Sequence, residues 1–162
     1  MILWKSLIGL TAIALTCGLE TDATAQSARI SGLEDVDFGT LVTLSDQSRS
    51  QSVAVCSYKN NPQRLPYAVT ALGSGTNGAF SLASGAGTLN YEVQWSDSPA
   101  QTNGIALQPG VPRSGQNNAA TGFTCSQQAD TASLTLTIRA TELATAYAGS
   151  YSGSLQVTVA PQ

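Results

Sequence analysis

Apolar and polar residues alternate along much of this chain. Between Leu89 and Trp95, the side chains of Leu89, Tyr91, Val93 and Trp95 fall on one face, and Asn90, Glu92 and Gln94 on the other. Between Ser133 and Ala140, Leu134, Leu136 and Ile138 are set inward, while Thr135, Thr137 and Arg139 are set outward. Near the C-terminus, Leu155, Val157 and Val159 alternate with Gln156 and Thr158. A period of two marks a strand with one buried face. Ser52–Tyr58, Pro66–Leu72 and Val36–Leu44 are further strand candidates. The pieces between them are rich in Gly, Ser, Asn and Pro, the residues of turns. No long helical period is present; Thr141–Gly149 forms one short helical turn or a loop. The long polar stretch Ser96–Gly122 has room for a short strand at Ile105–Leu107. Strands with one apolar face must pack those faces together, so the pattern predicts an all-β, immunoglobulin-like β-sandwich.

One motif argues superficially for another fold. Gly73–Gly78 reads GSGTNG, a literal G-x-G-x-x-G. A dinucleotide site needs a helix directly after such glycines, because the helix N-terminus holds the pyrophosphate. Here strand and turn residues follow, so the glycines are read as a loop between strands.

Composition narrows the function classes. Of the 162 residues only 10% are charged, and the net charge is -3. Nothing clusters Lys and Arg as a nucleic-acid surface requires. The chain has no histidine, which removes His-based triads and His zinc sites. Glu34, Asp35 and Asp37 form a small acidic cluster, but their spacing lacks a calcium-loop pattern; a solvated strand start is the plainer reading. Tyr91 and Trp95 are read as core, with a ligand platform as the alternative. No cofactor, metal site or catalytic residue is predicted.

The N-terminus reads as an export signal. Lys5 precedes an apolar run, Leu7–Leu19, and Ala23-Thr24-Ala25 supplies small residues at a cleavage site. Residues 1–25 are therefore expected to be removed, leaving a domain over 26–162 with no membrane insertion after cleavage. Retention as an anchor, or acylation of Cys17, are the alternatives. Two cysteines then remain, Cys56 and Cys125. In an exported chain an even count suggests a disulfide. Bridging them would close a loop of roughly 70 residues, worth about 4 kcal/mol in the chain-entropy picture. Two buried thiols are the alternative.

The order of these landmarks resembles the spore coat protein U domain, also the subunit domain of archaic chaperone–usher pili. The stretches that carry the likeness are DFGTL (Asp37–Leu41), SVAVC (Ser52–Cys56) and LPYAVTALGSG (Leu65–Gly75). They continue with GTLNYEVQWSDSPA (Gly87–Ala100), SLTLTIRATEL (Ser133–Leu143) and AGSYSGSLQVTV (Ala148–Val159). The resemblance implies a sandwich missing its final strand. The gap would be filled first by a periplasmic chaperone and then by a neighbouring pilus subunit, through donor-strand complementation at an outer-membrane usher. Leu134, Leu136, Ile138, Leu155, Val157 and Val159 would be core or groove wall. The strand from Phe38 to Leu44 would line the other side.

Three departures from the family pattern stand out. Only Gln26–Val36 precedes Asp37-Phe38, and Ala28, Ile30 and Leu33 are too few for a full donor strand. Cys125 would pair with Cys56 in place of the family's N-terminal cysteine. The chain closes on Ala160-Pro161-Gln162 instead of an apolar residue. The resemblance implies a secreted, non-enzymatic pilus subunit that passes through the periplasm to the cell surface and acts in adhesion or biofilm formation, and the short segment before Asp37 points to the tip. The alternative is a self-complete secreted coat, matrix or glycan-binding protein.

Overall fold

The computed structural model describes residues 27–40, 47–60, 66–85, 87–120 and 130–162. The chain folds as an all-β, immunoglobulin-like sandwich. Its elements are β1 (Ala28–Ser31), β2 (Arg49–Lys59), β3 (Tyr67–Gly73), β4 (Ser81–Ser84), β5 (Gly87–Asn90), β6 (Glu92–Ser96), β7 (Ile105–Ala106), β8 (Arg113–Gln116) and β9 (Ala132–Ile138). One short helix, α1 (Ala140–Thr145), and a last strand, β10 (Leu155–Pro161), follow. A five-stranded sheet runs in the order β1-β2-β9-β6-β7, and a three-stranded sheet in the order β10-β3-β8. β4 and β5 form a separate hairpin. All strand pairs are antiparallel.

The core lies where the apolar faces of the two main sheets meet. Val55 comes from β2, Tyr67, Val69 and Ala71 from β3, Val93 and Trp95 from β6, and Leu134, Leu136 and Ile138 from β9. Trp95 is fully buried, edge-on to Tyr67, with ring centroids 6.4 Å apart and planes at 84°. Phe80 stacks on Tyr91 at 5.8 Å. Both aromatics of the Tyr91–Trp95 alternation are therefore core residues. Leu143, on the short helix, is also buried.

The predicted alternation is recovered, with two corrections. Thr135 does not face solvent. It is buried with Ser133, because the loop after β6 folds over the outer face of β9. Ser133 Oγ donates to the carbonyl of Ser98 at 2.9 Å, and Gln101 N–H donates to Ser133 Oγ at 3.0 Å. Ser52 and Thr135 share a hydroxyl hydrogen bond of 3.0 Å alongside. The second correction concerns Val36–Leu44. Residues 36–40 form no strand, and 41–44 lie outside the described residues. The cause is local. Asp37 Oδ1 accepts the Gly39 N–H at 2.7 Å, and Gly39 takes φ 70°, a left-handed value that ends an extended run.

The GSGTNG stretch closes the β3–β4 connection as a tight turn with a 3-10 segment at Thr76–Gly78. Gly73 is needed there for closeness. A Cβ at Gly73 would sit 2.1 Å from the Ala79 carbonyl oxygen. Gly85 meets no such neighbour, with nothing within 4 Å of an added Cβ. Gly73→Ala is accordingly expected to lower unfolding stability by about 1–3 kcal/mol. Gly85→Ala should leave it unchanged. Urea denaturation of the two variants beside the parent decides the point; equal midpoints for all three would contradict the close approach.

Candidate functional site

The two ends of the sandwich differ in how they are finished. At one end a polar network holds the loops down. The Ser57 hydroxyl donates to the Tyr67 hydroxyl at 3.1 Å, and the Tyr67 hydroxyl donates to Asp97 Oδ1 at 2.8 Å. The second Asp97 oxygen accepts the backbone N–H groups of Asn117 and Asn118 at 2.7 and 2.9 Å. Thr131 Oγ1 joins Ser57 at 2.9 Å. Burial pushes the Tyr67 phenol well above its ordinary range. The nearby Asp97 charge adds to this, while the Ser57 hydrogen bond and the Trp95 indole oppose it. The buried Trp95 Nε1–H has no partner at normal hydrogen-bond geometry, so it acts on Tyr67 only by proximity. Tyr91 is also raised, by burial.

At the other end the sandwich stays open. A groove of about 1080 Å³ runs between the sheets. Leu134, Leu136 and Ile138 of β9 line it, with Val53 of β2; Leu155 and Val157 of β10 line it from the other sheet. Leu82, Leu143 and Tyr151 also contribute. Strand register shows why it opens here. Opposite Leu134 on β2 stands Val53, but opposite Leu136 and Ile138 stand Gln51 and Arg49, which are exposed. The apolar inner face of β2 thus stops before that of β9 does. Protein interiors are normally packed with few voids larger than a water. A cleft this large has room for several side chains.

Of the residues singled out from sequence, Leu134, Leu136, Ile138, Leu155 and Val157 converge on the groove, and Val159 is buried in the core beside it. Phe38 lines the groove as expected, but from a segment that is not a strand. Cys56 is buried on β2 and is half of a disulfide. Cys125 lies outside the described residues. The sequence reading missed Val53, Leu82, Leu143 and Tyr151; of these, Leu143 sat in the segment left open between helix and loop. Asp97, which stands beside turn residues in the sequence, is the hub of the network at the closed end. The acidic cluster gathers no group of carboxylates: Glu34, Asp35 and Asp37 are exposed, and Asp37 serves Gly39.

β10 pairs along its whole length with β3, from Leu155↔Gly73 to Pro161↔Tyr67. Among the described residues its other edge has no partner strand. β1 runs close to part of that edge without forming a ladder with it, and Leu155 and Val157 of β10 line the groove. This arrangement can accept an extended chain, with main-chain bonds to the edge and alternate side chains in the cleft. No helix among the described residues is long and apolar enough to cross a membrane.

The raised tyrosines carry a stability consequence. A phenol whose folded pKa exceeds the unfolded value contributes fully below about pH 10, and its contribution falls as pH rises beyond that, by up to about 1.4 kcal/mol per pH unit. The unfolded chain sheds its proton first. Alkaline denaturation above about pH 10 is therefore expected, and Tyr67→Phe should flatten the decline although it costs stability at neutral pH. Melting temperatures from pH 8 to 11 test this; parallel curves for parent and variant would refute it.

No family profile matches this sequence, and no curated protein does. Solved structures of similar shape exist. A chain from the chaperone–tip adhesin complex of CFA/I fimbriae biogenesis aligns over 83% of this chain and 41% of its own length, with 17% identity and a TM-score of 0.58. A chain from the CsuC–CsuE chaperone–tip adhesion subunit pre-assembly complex of the archaic chaperone–usher Csu pili of Acinetobacter baumannii aligns over 83% and 39%, with 21% identity and a TM-score of 0.45. The present chain thus spans about two fifths of the length of these matched chains.

Proposed function

We propose that this chain is an exported structural subunit of a chaperone–usher pilus that is completed by a strand from a partner. The observation that carries this reading is the apolar groove beside the unpaired edge of β10. An edge of this kind pairs with other chains if left bare, so it calls for a dedicated partner. A periplasmic chaperone would supply the first strand and a neighbouring subunit the second. An outer-membrane usher would be the place of exchange. The backbone similarity to a chain of a chaperone–tip adhesin complex supports the same class. The motif order around Asp37–Leu41, Ser52–Cys56 and Ala148–Val159 supports the archaic branch.

The finer reading places the subunit at the fibre tip, in adhesion or biofilm formation. Its support is the fate of Ala28 and Ile30. Both pack against the chain's own core, on a strand paired to β2 from Ala28↔Lys59 to Ser31↔Cys56. Apolar residues used internally are not free to fill a neighbour's groove. We also propose Cys125 as the partner of Cys56, closing the long loop between β2 and the approach to β9.

The test combines yield and substitution. The chain is expressed in an oxidising periplasm with and without its chaperone. The expected outcome is low soluble yield alone and rescue by the chaperone. Val157→Asp sets a carboxylate in the groove and should weaken strand uptake by about 2 kcal/mol or more, roughly 30-fold. A stable monomer that needs no chaperone, with a variant that assembles normally, would point instead to a self-complete secreted domain.

A further inference from the structure

The groove is not bare in this chain. Beyond Ser31 the chain leaves the five-stranded sheet, and residues 33–40 all line the groove. Val36 and Phe38 are half-buried and pack against the core, while Asp35, Asp37 and Gly39 are exposed. That is the side-chain pattern of a strand laid into a cleft. The main-chain pattern is different. Among the described residues, no backbone hydrogen bond joins 33–40 to β10 or to any other strand. Its hydrogen bond is internal, from Gly39 N–H to Asp37 Oδ1.

We infer that residues 33–40 are an exchangeable cover over the groove, held down by Val36 and Phe38 until an apolar strand from another subunit displaces them. The inference rests on the strand-accepting reading above and concerns how that site is regulated. The physical argument is a comparison of what each occupant gains. The internal segment buries two apolar side chains and forms no ladder. An incoming strand with alternating apolar residues buries a similar set and also pairs with the unpaired edge of β10. The exchange trades apolar contact for apolar contact and adds main-chain bonds. Until then the segment shields Leu136 and Val157 from non-specific contact. It also lowers the fraction of molecules ready to bind, so the apparent dissociation constant rises by the inverse of that fraction.

The test uses the full exported chain and a synthetic nine-residue peptide with valine at alternate positions. Phe38→Trp serves as a conservative reporter against the constant signal of buried Trp95. A second variant, Val36→Ser with Phe38→Ser, loosens the segment without touching β9 or β10. The expected result is a red shift of the reporter on peptide binding, and uptake by the double variant at least about tenfold faster than by the parent, since two half-buried apolar anchors are gone. If peptide binds while the reporter stays blue and the rates agree, the segment is a permanent wall; the inference falls and the strand-accepting reading stands. If neither protein takes up peptide, the strand-accepting reading itself fails, and the inference with it.

Discussion

Everything in this fold answers to the need to cover the inner face of β9. That strand lies between β2 and β6, in the middle of its sheet, and projects Leu134, Leu136 and Ile138 toward the second sheet. Burying one such side chain contributes roughly 1.5–3 kcal/mol, so three in a row dominate the local balance. The cover is uneven. At one end Tyr67 of β3 meets Trp95 edge-on, and Val69, Ala71, Trp95 and Leu134 are buried in one cluster. Toward Ile138 the neighbouring strand turns polar at Gln51 and Arg49, and the second sheet offers only Leu155 and Val157 at its edge. The groove is the part of β9 that the chain's two sheets do not finish covering.

The finished end sets the shape of the unfinished one. Asp97 ties the β6–β7 loop to the approach of Asn117 and Asn118, and Tyr67 ties both to β3. The loop from Ser98 to Gln101 clamps the outer face of β9 through Ser133. These bonds hold β3, β6 and β9 in fixed relation without touching the groove. A cleft held by such a frame is organised before anything enters it, which lowers the ordering cost of binding. Buried polar networks are costly when partly satisfied. Here every member but the Trp95 indole finds a partner, which suits a frame more than a reactive centre.

Much of this was legible in the sequence because strand alternation is a local signal. Leu89 to Trp95, Leu134 to Ile138 and Leu155 to Val159 each state their inward face within a few residues. What escaped was non-local or conformational. Thr135 and Ser133 look solvent-facing until the loop at Ser98–Gln101 folds over them. Asp97 looks like a turn residue because its partner, Tyr67, is 30 positions away. Phe38 has the right face for a strand, yet Gly39 takes a left-handed backbone that no periodicity count detects. The resemblance of motifs implies a groove, with Leu134, Leu136, Ile138, Leu155, Val157 and Val159 as core or wall; the first five line a cleft here. A cleft depends on where apolar faces stop matching across strands, and that requires register.

Register also decides what such a groove can select. Main-chain pairing along β10 is indifferent to the sequence of an incoming strand. Selectivity must come from the alternate positions, where Leu155 and Val157 face the cleft and Gln156 and Thr158 face out. A strand aligned with its apolar residues inward meets Leu134, Leu136 and Ile138 across the gap. The same strand displaced by one residue turns its polar face into that apolar surface, since side chains alternate with a period of two. Each polar group then buried without a partner costs about 1–3 kcal/mol. Two or three such positions outweigh the sequence-blind gain from the ladder. In a strand-accepting groove the edge of β10 would supply attraction, and the apolar inner face of β9 would supply the discrimination that keeps the attraction from becoming aggregation.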